Sequence, residues 1–385
     1  MERNPNTKNW LLRIGSYVLV AALASAMTLV LFGKESKLEE LERVIQTKFV
    51  GEADTVLMED TAAAAMVAAL GDRWSYYIPA SAYESYKEGK TNSYVGIGIT
   101  VMLREDGTGF DITRVEPDSG AAQAGIRPGD ILVEAQGQSL IGMDINAPAQ
   151  FIKGEEGTTV TVKVLRDNEP LTFTVTRRTI QVQVAQGQML PGEIGYIKIA
   201  NFNDNCAKQT IATTQELVEQ GAQALIFDVR DNPGGYRNEL VEILDYLLPE
   251  GPLFHSVGSD GSEQIDQSDE NCLELPMAVL VNAESYSAAE FFAAALSEYD
   301  WAKVVGVPTC GKGYYQNTIS LSDGSAVGLS VGEYYTPKGV SLAQVGGLVP
   351  DVEVAVDEET AAQIYAGLVE AQNDPQILAA MEIFS

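Results

Sequence analysis

The stretch NAESYSAAEFFAAALSE, residues 282–298, follows the apolar run LPMAVLVN and carries Ser285 and Ser287 where a strand should turn into a helix. A hydroxyl at such a turn can act as a nucleophile, because the unpaired N–H groups and dipole of a helix start favour developing negative charge. The same spacing has a plainer reading. Ser287 followed three residues later by Glu290 is a helix-capping box, and by local pattern alone a cap accounts for either serine better. A nucleophile also needs a group to take its proton. The chain has one histidine, His255, in the loop-like segment PLFHSVGSDG, and nothing places it beside Ser287. TCGKGYYQN, residues 309–317, offers another base: Lys312 lies between two glycines just after the run WAKVVGVP. Lysine serves as a general base when burial lowers its pKa, and flanking glycines let the backbone bring the amine close. Gln316, four residues on, can hold that amine through its side-chain amide. Read alone, Lys312 is an ordinary loop lysine. A third piece is DVRDNPGGY, residues 228–236. Its Pro-Gly-Gly turn either exposes the N–H donors an oxyanion needs or simply joins a strand to a helix.

These pieces sit on alternating strands and helices between residues 192 and 356. EIGYIKIANF, AQALIFDVR, LPMAVLVN and WAKVVGV read as strands. AKQTIATTQELVEQG, RNELVEILDYLL and the serine stretch read as helices. The alternation predicts an α/β core with substantial parallel pairing. Residues 93–179 have a different texture of short strands and turns, with YVGIGITVML, GFDITRVE, a short helix and Pro-Gly turn in GAAQAGIRPGDILVEAQGQSL, and alternating strands in TTVTVKVLR and LTFTVTRR. Upstream, ESKLEELERVIQTKF and EDTAAAAMVAAL read as helices, the second ending at Gly71. The C-terminal stretch from residue 357 is helical, with apolar positions that pack either on the core or on another subunit.

At 385 residues the chain has room for two or three domains, and 45% hydrophobic with 21% charged residues is a globular composition. Its 25 basic and 54 acidic residues give a net charge of −29. That argues against a nucleic-acid partner and against broad attraction to anionic lipid, and it reads as a solubility device. Cys206, Cys272 and Cys310 have no CxxC spacing. With a single histidine they argue against a metal site, and they read as free thiols, with one bridge as the alternative. Residues 14–32 form 19 uncharged positions preceded by Arg3, Lys8 and Arg13. That length and flank predict a membrane anchor with the first 13 residues cytoplasmic and the bulk of the chain outside. The alternative is secretion after cleavage at the small residues ASA, 24–26, although the apolar run continues past them.

Together the pieces resemble the carboxyl-terminal processing, or tail-specific, serine proteases. GIGI at 96–99 and AGIRPGDILVEAQGQ resemble a PDZ domain, in which Val95, Gly96, Ile97 and Gly98 would form the loop that takes a peptide carboxylate. SYSAAE resembles the family's SASASE, TCGKG its TFGKG, and Asn232 to Gly235 its NPGG. GDRWSYY resembles its LDPYSxY, and GGLVPDVEV its Gly-x-x-Pro-Asp signature. The resemblance implies an α/β (α+β) core related to crotonase and the Clp peptidase at 180–356. It also implies an inserted PDZ-like β-rich domain at 93–179 behind a membrane-directed N-terminus, the transmembrane helix; the residues themselves add a helical region at 35–92 and a C-terminal helical segment at 357–385. It implies Ser287 as nucleophile, Lys312 as base and Gln316 as the residue that orients it. The backbone N–H groups of Ala288 and of Gly234 or Gly235 would form the oxyanion site, and no cofactor or metal is needed. Partners would be proteins or peptides with accessible C-termini, with self-association, an activating partner and gating by the PDZ domain as further expectations. Tyr286, Ala289, Cys310, Tyr314, Tyr315 and Glu298 depart from the pattern and bear on substrate preference. The rival reading is a PDZ-bearing adaptor whose protease core is inactive.

Overall fold

The computed structural model describes Tyr17 and residues 35–385. Tyr17 apart, the expected anchor at 14–32 and the tail before it lie outside the described residues, among which no helix is long and apolar enough to cross a membrane. The chain divides into two units, residues 1–71 and 72–385. In the first, helix α1 (Lys37–Lys48) starts at a capping box, with Ser36 Oγ accepting from the Glu39 N–H and the Glu39 carboxylate accepting from the Ser36 N–H. Asp54 caps α2 (Thr55–Ala68) by accepting from the Leu57 N–H. Neither helix buries a residue, so the Leu38, Leu41 and Val44 stripe stays exposed.

The helical reading of residues 35–92 is interrupted after Gly71, where GDRWSYYIP breaks the pattern. There the chain forms a short strand, β1 (Tyr76–Ile78), and then helix α3 (Ala80–Lys90). Its aromatic and β-branched residues suit a strand once a partner is supplied, and that partner comes from the far end of the unit. Next follow β2 (Ser93–Gly96), β3 (Ile99–Leu103), β4 (Phe110–Val115), α4 (Gly120–Ala124), β5 (Ile131–Ala135), β6 (Gln138–Ser139), α5 (Ala147–Ile152), β7 (Thr159–Arg166), β8 (Glu169–Thr176) and β9 (Arg178–Gln181). β2 and β9 pair antiparallel and close this β-rich part, while β3-β4-β5-β7-β8 form its sheet with β3 at one edge. Alternation along β7 sends Val160, Val162 and Val164 into a core with Ile97, Phe110 and Leu132.

The remaining elements are β10 (Ala185–Leu190), β11 (Ile194–Ile199), α6 (Cys206–Glu219), β12 (Ala224–Asp228), α7 (Arg237–Leu247), β13 (Gly251–Gly258), β14 (Glu263–Ser268), β15 (Met277–Val281), α8 (Ala288–Glu298), β16 (Ala302–Gly306), β17 (Tyr314–Ser320), β18 (Ala326–Tyr335), α9 (Leu342–Val345), β19 (Val352–Glu353), α10 (Glu358–Tyr365) and α11 (Pro375–Glu382). The main sheet runs β10-β11-β12-β15-β16-β19, and every pair from β11 onward is parallel. Both its faces are covered, which is why β12 and β15 read as unbroken apolar runs. Leu225, Phe227, Val279 and Val281 pack on one side with Phe291 and Phe292 of α8, and Ile226, Ala278 and Leu280 on the other with Ile377 and Ala380 of α11. A second, antiparallel sheet joins β1, β18, β13 and β14, with β17 also on β18. The segment around His255 is therefore strand and not loop: His255 lies opposite Ile265 and Tyr335. Its glycines and serines hid a ladder that depends on distant partners.

Candidate active site

β12, β15 and β16 are neighbours in the parallel sheet, and each ends at one of the segments singled out above. β12 leads into Asn232-Pro233-Gly234-Gly235, β15 into the serine turn, and β16 into the lysine loop. Parallel strands put their C-terminal ends on one side, the side where open α/β sheets bind ligands.

The serine turn is sharp. Ser287 is the N-cap of α8 and has φ +60° and ψ −123°. Backbone of this kind on a residue with a Cβ costs of order 1–3 kcal/mol and persists only when its surroundings over-determine it. They do so here. Ser285 is fully buried, its Oγ donating to Val229 O at 2.7 Å and accepting from the Asn282 N–H at 3.0 Å. Its hydroxyl is thus committed to the turn. Asn282 Oδ1 accepts from the Asp231 N–H and its Nδ2 donates to Asp231 Oδ1, and the Tyr286 N–H donates to Asn232 O. The Pro-Gly-Gly turn and the serine turn are therefore stapled together. Gly234 has φ +83°, and a Cβ there would lie 2.8 Å from both Ala288 N and Ser287 Cβ. The Gly234 N–H donates to Asn232 Oδ1 at 2.8 Å, so of the two glycines only Gly235, with Ala288, keeps an N–H with no partner among the described residues.

Glu290 plays a larger part than a cap. It is fully buried, and its carboxylate accepts from the Ser287 N–H at 3.1 Å, the Lys312 N–H at 2.9 Å, the Gly311 N–H at 2.6 Å and the Thr309 hydroxyl. One side chain ties the serine turn to the lysine loop. The capping spacing pointed to the first of these bonds and could not point to the others. Tyr334, which the sequence did not single out, lies buried beside the same loop and donates its hydroxyl to Lys312 O. Burial, with Glu290 nearby, raises its pKa and keeps the phenol neutral.

Ser287, Lys312, Gln316, Ala288, Gly235 and Tyr334 all line one cleft of about 1010 Å³. Burial and then the Lys90 ammonium lower the Lys312 pKa to about 8, against Asp72, Cys310 and Glu290, which favour the charged form. The amine lies 4.6 Å from the centroid of Trp74 and 5.8 Å from that of Tyr286. Among the described residues no hydrogen bond joins it to Ser287 or Gln316. The Gln316 amide nitrogen donates to Tyr314 O and Ser330 Oγ, both at 3.0 Å. His255 is 3.4 Å from Glu263, outside this group of residues.

A second groove of about 520 Å³ lies in the β-rich part, lined by Ile97, Ile99, Val101, Ile145 and Ile152 among others. Gly96, Ile97 and Gly98 line it, whereas Val95 does not. Val95 sits in β2, opposite Thr179 of β9. Helix α3 reaches both sites: Ser85, Glu88 and Gly89 line the groove, and Tyr86 and Lys90 line the cleft. A Glu88–Lys153 ion pair of 2.6 Å spans from this helix to the end of α5.

Comparison with known proteins agrees in both parts. Residues 193–354 match Peptidase family S41, and residues 112–166 match the PDZ domain. The carboxy-terminal processing protease CtpA of Bacillus subtilis (strain 168) is 30% identical over 361 residues, covering 89% of this chain and 76% of the relative. Carboxyl-terminal-processing peptidase 2, chloroplastic, of Arabidopsis thaliana is 32% identical over 301 residues, covering 74% of this chain and 58% of the relative. A solved structure described as an S41 protease from Bacteroides fragilis NCTC 9343 shares the fold, with a TM-score of 0.53 at 16% identity over 91% of this chain and 97% of that one.

Proposed function

The chain belongs to peptidase family S41, as a C-terminal processing serine protease with a PDZ domain, and we propose that it is a membrane-anchored Ser–Lys endopeptidase acting on the tails of extracytoplasmic proteins. One observation carries this reading. A strained serine at a helix start shares a cleft with a lysine whose pKa is lowered to about 8. In the reaction, the neutral Lys312 amine takes the Ser287 proton as Oγ bonds to the substrate carbonyl carbon. The negative charge moves to the carbonyl oxygen, between the N–H groups of Ala288 and Gly235. The Lys312 ammonium then gives its proton to the departing amine as the C–N bond breaks. Water, deprotonated by the same lysine, cleaves the resulting ester. The amine leaves the Trp74 face to reach Ser287, and Gln316, whose amide nitrogen is taken up by Tyr314 O and Ser330 Oγ, keeps Oε1 as the acceptor that would orient it.

The substrate's apolar tail occupies the PDZ groove, adding as a strand beside the edge strand β3. Gating of the cleft by that groove draws support from α3, which lines both. The charge asymmetry of Arg3, Lys8 and Arg13 before the apolar run supports the anchor and the extracytoplasmic placement. The adaptor reading draws on one fact, the missing hydrogen bond between Lys312 and Ser287, and labelling of Ser287 by a reactive phosphonate in the presence of a tail peptide would exclude it. The main test is cleavage of a protein with an apolar tail. Ser287→Ala and Lys312→Ala should each lower kcat/KM by about a thousandfold or more without unfolding the chain, while Ser285→Ala should chiefly lower stability. Full activity of Ser287→Ala or Lys312→Ala would sink the Ser–Lys assignment.

A further inference from the structure

Four positions at which the sequence leaves the tail-protease pattern form one chain of contacts beside Lys312. Arg73 and Trp74 stand where LDPYSxY has proline and tyrosine, Tyr286 where SASASE has alanine, and Cys310 where TFGKG has phenylalanine. In the structure the Trp74 and Tyr286 rings lie 5.7 Å apart with a 34° tilt, and the Lys312 amine lies against both. The Arg73 guanidinium lies 4.2 Å from the same indole centroid and donates to Cys310 Sγ at 3.1 Å. Arg73 and Cys310 thus brace Trp74 beside the lysine loop. Residues that look like unrelated departures along the chain form one contact set.

An aromatic face attracts an ammonium and has no comparable pull on a neutral amine. It therefore favours the one protonation state in which lysine cannot accept a proton. The other groups facing the amine pull in both directions: burial and Lys90 favour the neutral form, while Asp72, Cys310 and Glu290 favour the charged one. The nearby phenols of Tyr286 and Tyr334 both have raised pKa values, through burial first, and stay neutral across the working range.

We propose that Trp74, with Tyr286, is a positioning residue for Lys312: the two rings form a half-cage that holds the side chain as its ammonium, away from Ser287, and so set the pH at which it becomes a base. The proposal rests on the Ser–Lys reading above. It accounts for an amine that lies on an indole instead of on its serine, and it makes Trp74 a determinant of rate that acts through Lys312.

The test uses the full chain and a quenched-fluorescence peptide with three apolar residues at its free C-terminus. The acid limb of kcat/KM is measured for the wild type, Trp74→Phe and Trp74→Leu. Leucine keeps the site apolar and removes the π face, so the limb should move about one pH unit lower, with phenylalanine in between. Should the leucine variant fail to fold, the phenylalanine variant must still shift by about half a unit. A readout that needs no turnover is the ¹³C-methyl titration of Lys312 after reductive methylation, identified by its loss in Lys312→Arg, and it should show the same order. Unmoved limbs and titrations in both Trp74 variants would overturn the proposal while leaving the Ser–Lys reading standing. Undiminished cleavage by Lys312→Ala would instead overturn that reading.

Discussion

Replacing Glu290 by glutamine probes how the serine turn and the lysine loop are held in register. Oε1 accepts from Thr309 Oγ1 and the Gly311 N–H, and Oε2 from the Ser287 and Lys312 N–H groups. Glutamine keeps the size and one acceptor, but its NH₂ must face two former donors. If it faces Ser287 and Lys312, two backbone N–H groups lose their acceptor. If it faces Thr309 and Gly311, the threonine hydroxyl can turn and accept, and only the Gly311 N–H is orphaned. The second arrangement is cheaper. It leaves one unsatisfied buried donor, at about 1–3 kcal/mol, and weakens the other bonds, since charge-assisted bonds are roughly twice as strong as neutral ones. The neutral amide costs less to bury than a carboxylate, which offsets part of the loss. The net expectation is a stability loss of about 2–3 kcal/mol. Because Gly311 adjoins Lys312, misplacement of the amine should also lower kcat by about tenfold or more with little change in KM. Urea unfolding followed by tryptophan fluorescence measures the first effect, and peptide cleavage at saturating substrate the second. A variant within about 0.5 kcal/mol of wild type and unchanged in kcat would refute the clamp.

Two further outcomes follow from the same geometry. The base must be neutral, so activity should rise with pH through about 8, and kcat/KM should gain about tenfold between pH 7 and pH 9. His255→Asn should leave that limb in place, and loss of the limb in this variant would point to the histidine instead. Gly234→Ala combines a positive φ of +83° with a Cβ 2.8 Å from Ala288 N. It should lower kcat by about a hundredfold through the displaced oxyanion donors, and a kcat within twofold of wild type would show that the Pro-Gly-Gly turn has no part in the chemistry.

Much of this arrangement was legible because its signals are local. β12 and β15 are buried on both faces and so read as continuous apolar runs. Ser287 and Glu290 carry cap spacing, and the Pro-Gly-Gly turn is written in three adjacent residues. What stayed hidden depends on partners remote in sequence. β1 is three residues long and becomes a strand only against β18. The polar, glycine-containing segment around His255 becomes a strand only between β14 and β18. Val95, expected in the carboxylate loop, lies opposite Thr179 of β9 and does not line the groove, whereas Gly96 beside it does. Trp74 and Tyr286 are 212 residues apart by their numbers, and no spacing rule links them.

Glu290 shows why such distant pairs meet. The carboxylate satisfies its helix cap, so the local pattern is complete and gives no hint of further partners. Yet β15 and β16 are parallel neighbours, with Val281 opposite Gly306. The segments after those two residues must leave the sheet side by side. Serine and lysine are therefore brought together by sheet order and not by separation along the chain, and the Pro-Gly-Gly turn joins them because β12 is the next strand over. A buried carboxylate between the two loops then answers a problem the topology creates, since the Ser287, Gly311 and Lys312 N–H groups lie past the strand ends, with no ladder to pair them, and converge on it. By this argument the anchoring of Glu290 is a property of the parallel pair, and Trp74, in the turn just before β1 of the other sheet, is the residue free to vary what the lysine touches.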